Sequence, residues 1–447
     1  MTLSGHLDPA DPLHPRAAFA RLPSLVRPLV AYEPEPLWEA DTRLLPLALR
    51  RYRRKVREFA ARVLAPRALA ADLAPHGPEE REVLLAAARE GYLTDLLPVP
   101  FGSISWSRLR HPIALAQSLK MEELCAACGG LGLLVGAHGL GCAPLLLSGD
   151  LGAVRRFLLP AYRRTRSGDP QLFAFAITEP GAGSDAEESS GASRAQPGTR
   201  ARRVEGGFRL SGRKIYISGG DVAHAVTVFA ALEDEGLASW TCFVVVRGMP
   251  GFSVVRRELK MGQRASGAAE LLFEDVFVPD SHVVGGPRRG WALNRATLNL
   301  SRVPVGAIAL GIARGAAEAA VEFARRARLG ARPLVDYQEV QLEIARMWTD
   351  LAAMRALVWQ YASRWTPRQA RASMAKVFCA DAAVRVCERA MALMAEDGLL
   401  QRNRAEKAFR DARLTQIYEG TNQINLLAVV EDQLEELAPL AAIPPAG

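Results

Sequence analysis

Residues Gln416 to Ile424 read Gln-Ile-Tyr-Glu-Gly-Thr-Asn-Gln-Ile, and Glu419 among them is placed to do acid–base chemistry. A helical pattern stops just before this stretch and another starts just after it. Thr421 is in position to cap the run Asn422 to Leu427. Glu419 is therefore expected at a helix–helix corner, between Tyr418 and Gly420. A glycine there lets another molecule come close to the backbone. A carboxylate in such apolar company should have a raised pKa, which a general base needs. The bland alternative is a glycine-stopped helix carrying a surface Glu.

A second stretch, Phe173 to Asp185, reads Phe-Ala-Phe-Ala-Ile-Thr-Glu-Pro-Gly-Ala-Gly-Ser-Asp. A strand runs into a Pro-Gly turn and then into a loop dense in small residues and backbone N–H donors. Gly181 to Ala186 formally match the dinucleotide-binding fingerprint, which requires a helix next. Glu187 to Arg203 hold Gly191, Pro197 and Gly198 and no apolar face, so that match fails. No G-K-[ST] follows, which excludes a P-loop.

Residues 1 to about 40 are Pro-rich and read as a loosely ordered extension. Helical periodicity then predicts helices over Leu44–Leu64, Pro78–Glu90, Ile113–Ala127 and Gly152–Arg164. From Gln171 the texture becomes strand-like: Leu172–Thr178, Gly207–Leu210, Lys214–Ser218, Val222–Leu232, Ser239–Val246, Phe252–Val255 and Glu270–Val278. Turn dipeptides between these runs point to an antiparallel barrel or sandwich. Long helical segments return near Trp291–Leu329, Asp336–Trp365, Ala370–Met394 and Thr421–Leu437. The expected class is α+β multidomain: extension 1–40, helical domain 41–170, β domain 171–285, helical bundle 286–437 and a tail 438–447.

The chain has 447 residues, 49% hydrophobic and 23% charged, with net charge +8. This fits a globular protein of two or three domains. Arg greatly outnumbers Lys; the balance suits an acidic partner such as a nucleotide or carrier protein, or reflects a compositional bias. The Arg50–Arg57 run reads as a solvated helix face rather than a nucleic-acid contact. Six cysteines make no disulfide framework, and a reduced cytoplasm fits them. Cys125 and Cys128 lack a second pair at zinc spacing, so no metal site is expected. Cys125 to Gly149 is long enough to reach across a bilayer but holds seven glycines and Pro144, which argues for broken helices inside a protein.

Together, T-E-P-G-A-G-S-D at 178–185 and Q-I-Y-E-G-T-N-Q-I at 416–424 closely resemble the two signature regions of the acyl-CoA dehydrogenase family. Lys214 to Gly220 and Met261 to Arg264, followed by Glu270 to Val276, resemble two further motifs of that family in the same order. The resemblance covers about residues 42 to 436. It implies FAD as cofactor, with Phe175, Ile177 and Thr178 lining its isoalloxazine, and Gly183 and Ser184 touching flavin or the substrate's pantetheine arm. Tyr216, Ile217 and Ser218 would cover the ring, while Gln338, Thr421 and Gln423 would meet the dinucleotide. Tyr418 and Gly420 would border the substrate, and Glu419 would be the base. In the family, the backbone N–H at the Glu419 position and a flavin ribityl hydroxyl bind the enolate-like oxygen.

The implied activity is α,β-dehydrogenation of an acyl thioester, carried on CoA or an acyl-carrier protein, with an electron-transfer flavoprotein-like acceptor and a homodimer or homotetramer. An oxidase, or a non-redox binding protein on the same fold, are the alternatives. Three places depart from the family pattern: Ala268 stands where a Thr is common, and Ala327, Gly330 and Ala331, or with a one-residue shift Arg326, Leu329 and Gly330, stand where an R-x-x-F-G segment is usual. Glu396 and Asp397 sit in a loop that normally reaches a neighbouring subunit's FAD, where carboxylates beside a pyrophosphate are unfavourable.

Overall fold

Apolar residues three and four apart decide the first large helix. In the computed structural model, which describes residues 11–29, 35–181, 183–186, 195–233 and 235–441, α1 (Pro15–Ala20) and α2 (Leu37–Leu44) precede α3 (Leu47–Phe59). Leu49, Tyr52, Val56 and Phe59 bury one face of α3. The expected Leu44–Leu64 helix is shorter, because Ala60–Leu64 forms a π turn and Pro66 follows in a 3-10 turn. The Pro-rich stretch is also less irregular than expected, since α2 lies within and just beyond it. Expectations for residues 1–10 and 30–34, for Ala182 and for the end of the tail lie outside the described residues.

α4 (Ala68–Leu73), α5 (Pro78–Arg89), α6 (Ile113–Ala127), α7 (Gly129–Leu147) and α8 (Leu159–Arg166) complete the first helical part. The glycine-rich stretch breaks once, at Cys128, whose extended backbone ends α6 and whose sulfur accepts from Leu131 N at 3.5 Å. Beyond that break α7 is continuous, with Pro144 inside it. Two helices among the described residues, Gly129–Leu147 and Gly290–Arg326, are long and apolar enough to cross a bilayer. In each, 72% of the apolar window is buried in the protein, as in core helices.

The middle of the chain folds into β1 (Phe173–Ala176), β2 (Arg200–Val204), β3 (Gly207–Ser218), β4 (Ala225–Leu232), β5 (Thr241–Val246), β6 (Phe252–Arg257) and β7 (Ala268–Pro279). They form one seven-stranded sheet in the order β1-β4-β2-β3-β7-β6, with β5 also on β4. Most ladders are antiparallel, as the turn dipeptides predict. β4, however, runs parallel to β1 (Phe173↔Ala225) and to β2 (Arg200↔Ala231), through long connections that carry no hairpin signal. Alternation sends Phe173, Phe175 and Ile177 into one apolar cluster and Ala174 and Ala176 into another across the sheet.

The last part is a bundle: α9 (Gly290–Arg326), the hairpin β8 (Arg328–Leu329) and β9 (Arg332–Pro333), α10 (Gln338–Ala362), α11 (Gln369–Leu393), α12 (Arg404–Thr415) and α13 (Asn422–Ala441). Its core is continuous with that of α3, α6 and α7. Gly311 and Gly315 let α9 lie against the Glu122 and Ala126 carbonyls of α6, where a Cβ would clash. Beside them, Arg53, Arg314 and Arg355 are buried with Glu122 and Glu123, and Asp41 completes the cluster. Trp38 of α2 donates to Glu123 at 2.8 Å and takes the Arg53 guanidinium over its ring at 4.8 Å. Five helices (α2, α3, α6, α9 and α10) are tied together there.

Candidate active site

The corner between α12 and α13 is built on a backbone turn that few residues accept. Glu419 has φ 58° and Gly420 φ 79°, so the chain reverses through the left-handed region in two steps. Thr421 caps α13 as expected, its hydroxyl accepting from Ile424 N at 3.3 Å. The carbonyls of the turn are engaged. Lys376, buried on α11, donates to Gly420 O at 2.7 Å and to Asn422 Oδ1 at 2.8 Å. Asn425 Nδ2 donates to Gly420 O at 2.9 Å and lies 3.3 Å from Glu419 O. Asp381 accepts from Gln416 at 2.6 Å and from Asn422 at 2.8 Å. Among the described residues, the Glu419 N–H finds no protein acceptor.

The Glu419 side chain keeps part of its surface open, yet protein surrounds its carboxylate. Burial pushes its pKa up, against opposing pulls from the Ser301 hydroxyl, Arg302 and Lys376. Ser301 Oγ of α9 donates to Glu419 Oε2 at 2.7 Å, which leaves the other carboxylate oxygen for a second partner. Burial wins over the charges, so the carboxyl is held nearer to the range in which a base works. Next to it, Tyr418 OH accepts from Gln263 Nε2 at 3.3 Å. Gln263 itself is fixed in the left-handed region (φ 47°) by Asp411, which accepts from its backbone N–H and whose carbonyl accepts from its side chain at 2.8 Å. Gly262 lies so close to the Arg410 carbonyl that any Cβ would clash. The Met261–Arg264 motif thus docks the β domain onto α12, one residue from the corner.

A second group of expected residues gathers just past the end of β1 and at the end of β3. Thr178 O accepts from Ile215 N at 2.9 Å, which joins the two strands' ends. Register shifts between Lys214 and Ile217, and Tyr216 takes φ 57°. That bulge turns the Tyr216 ring outward, 59% exposed, while Ile217 is 2% exposed inside the sheet core. The expectation that Ile217 covers a bound ring is corrected accordingly: its side chain belongs to the core. Phe175 and Ile177 are buried, Phe175 edge-on to Phe229, and Thr178, Gly183, Ser184 and Ser218 are half-buried. Glu179 is structural. It pairs with buried Lys214 at 2.8 Å and accepts from Thr199 N at 3.0 Å.

One helix links the two groups. Asn294 of α9 donates to Ala186 O at 3.0 Å, gripping the T-E-P-G-A-G-S-D loop, and Ser301 holds Glu419. Seven residues apart, they lie on one face of α9 with a rise of about 10 Å between them. Gln338 does not join this site. It begins α10 beyond the C-terminal end of α9, and the 25 residues from Ser301 to Arg326 span about 37 Å. Gln423 is exposed on the first turn of α13. Glu396 is exposed in the single turn Ala395–Leu399 that follows α11. Among the described residues no group of His, Cys, Asp and Glu could hold a metal ion. Sequence reading missed Ser301, Lys376, Asn294 and Asn425. Their one signal is a polar residue on an otherwise apolar helix face.

Three family descriptions match the chain: acyl-CoA dehydrogenase N-terminal domain over residues 48–164, middle domain over 174–276 and C-terminal domain over 288–434. The chain belongs to the acyl-CoA dehydrogenase family. Cyclohex-1-ene-1-carbonyl-CoA dehydrogenase of Geobacter metallireducens is 36% identical over 375 residues, 83% of this chain and 93% of that one. Butyryl-CoA dehydrogenase of Megasphaera elsdenii superposes with TM-score 0.76 at 28% identity, covering 87% of this chain and 99% of that one. A chain from the structure of the electron transferring flavoprotein of Acidaminococcus fermentans gives TM-score 0.79 at 31% identity, covering 87% and 98%. Family members are FAD-dependent oxidoreductases acting on CH–CH bonds, and this chain shares their fold of helical ends around a curled sheet. Its residues leave room for a flat cofactor: the Tyr216 ring is turned out of the sheet core, and nothing stands within 4 Å of where a Cβ on Gly181 would lie.

Proposed function

We propose that this member of the family oxidises the α,β-bond of an acyl-CoA, with Glu419 taking the α-proton. The observation that carries the reading is the desolvated Glu419 carboxylate, held by Ser301 on one oxygen, beside a backbone N–H that meets no protein acceptor. A thioester α-proton is weakly acidic, so its removal needs a close base and a donor to the enolate-like oxygen. Glu419 supplies both, the base from its side chain and the donor from its N–H. Tyr418 and Gly420 border the acyl group. Thr178, Gly183, Ser184, Tyr216 and Ser218 hold the isoalloxazine and the pantetheine arm, and Phe175 and Ile177 back that shelf from the core. Thr421 and Gln423 approach the dinucleotide from the start of α13. Bound FAD supplies the acceptor for the β-hydride.

Gln338 reaches a cofactor only if a second copy presents it, which supports a homodimer or homotetramer. An electron-transferring flavoprotein is the acceptor we propose, in line with the likeness reported above. Six buried, unpaired cysteines support a reducing cytoplasm as its compartment. The domains run 41–170, 171–285 and 286–437. An anaerobic visible spectrum, recorded while butyryl-CoA and cyclohex-1-ene-1-carbonyl-CoA are added in turn, tests the reaction. Bleaching of the flavin by either thioester supports it and begins to name the substrate. A flavin that neither thioester bleaches refutes it for these acyl classes, and a colourless protein that takes up no FAD refutes it altogether.

A further inference from the structure

A cavity of about 550 Å³ lies between the start of α3 and the loop from Gly91 to His111, within the size range of small-molecule sites. It is separate from the site described above. α6 stands between them, with Lys120 reaching Asp95 in the cavity wall on one side and Glu122 facing α9 on the other. The wall is cationic. Arg51, Lys55, Arg108 and Arg110 line it, with His111. Its two carboxylates are already neutralised: Lys55 meets Glu90 at 3.0 Å, and buried Lys120 meets Asp95 at 3.0 Å. Arg51 and Arg110 have no carboxylate partner among the described residues. Arg108 lies 4.3 Å over the Tyr52 ring and donates to the Ser103 carbonyl, so its guanidinium is positioned without being neutralised. Ser105 and Ser107, 3.1 Å apart through their hydroxyls, stand in the same wall. Tyr92, 3% exposed, also lines the cavity, and its buried hydroxyl has no hydrogen-bond partner among the described residues.

We propose that this cavity binds a small phosphorylated molecule. Guanidinium forks match phosphoryl oxygens in geometry and charge, and serine hydroxyls add donors. Leu47, Ala48 and the edge of Tyr52 offer an apolar floor for the body of the ligand. Binding is independent of the chemistry at Glu419. The test is isothermal titration of the FAD-loaded enzyme without added CoA, whose own phosphates would compete for the cavity; an arginine variant separates this cavity from the candidate active site. Inorganic pyrophosphate is the first probe and ribose 5-phosphate the second. Saturable binding of one molecule per chain is expected with at least one probe. It should weaken about tenfold or more in the Arg51→Ala/Arg110→Ala double variant, since each contact to a charged group is worth about tenfold. Both arginines are exposed, so the fold survives their removal. No saturable binding up to about 10 mM of either probe, or equal binding by the double variant, overturns the proposal.

Discussion

Replacing Ser301 by Ala removes one hydroxyl and leaves the Glu419 carboxylate where it is. The lost bond is the 2.7 Å contact from Ser301 Oγ to Glu419 Oε2. A hydrogen bond to a charged group contributes about 1.5–3 kcal/mol. One pKa unit corresponds to about 1.4 kcal/mol, so the Glu419 pKa, already raised by burial, should climb by about 1–2 units more. The base works ionised. The acid limb of the kcat/KM profile should therefore move up in pH by the same about 1–2 units, with the plateau at high pH nearly unchanged. Single-turnover flavin bleaching from pH 5 to 9 reads this directly. Ser301→Thr keeps a hydroxyl and should restore the limb. An acid limb within about 0.3 unit of wild type in Ser301→Ala would refute both the bond and the assignment of Glu419 as the titrating base.

Glu419→Gln should retain flavin and fold while losing at least about 10³-fold in kcat, because a carboxamide cannot take the proton; near-normal turnover would contradict the base role. The same variant should be no less stable than wild type at pH 8. A carboxyl whose folded pKa lies above its unfolded value loses stability as pH rises between the two values, and Gln removes that loss; a marked fall in Tm at pH 8 would argue against it. Lys376→Met leaves the Gly420 carbonyl with Asn425 as its one side-chain donor and should lower kcat about 10–100-fold with FAD content intact, read by turnover against absorbance. Arg53→Ala leaves Arg314 and Arg355 to face the buried Glu122 and Glu123 together with Asp41, and this loss of one buried cation should cost about 3–5 kcal/mol, measured by urea unfolding; a change under about 1 kcal/mol would mean water reaches the cluster.

Much of the site is legible in sequence because its parts are local. The Glu419 corner, its glycine and its Thr421 cap lie within a few residues, and so does the loop after Phe173. What holds them is not local. Ser301 and Lys376 arrive from α9 and α11, where a single polar residue in an apolar helix looks unremarkable until its partner is known. Ile217 shows a different limit. Strand alternation separates it from Tyr216 and Ser218, but which pair faces out depends on a bulge that only the β3–β7 register reveals. The parallel β1–β4 pairing is hidden for a related reason, since no short turn connects its strands. Gln338 shows that motif order carries no distance: within one chain it sits at the far end of a long helix from Glu419.

The seven-residue interval between Asn294 and Ser301 is a gauge, and its tolerance can be stated. One residue inserted between them would turn Ser301 by about 100° around α9 and advance it by about 1.5 Å. Glu419 would lose its hydroxyl partner, and the loop and the base would no longer face the same gap. A whole heptad added there would restore the direction but widen the gap by about 10 Å, too far for one thin molecule to touch both sides. Length change in this chain is therefore confined to places such as the β8–β9 hairpin, while the stretch from Asn294 to Ser301 is closed to it.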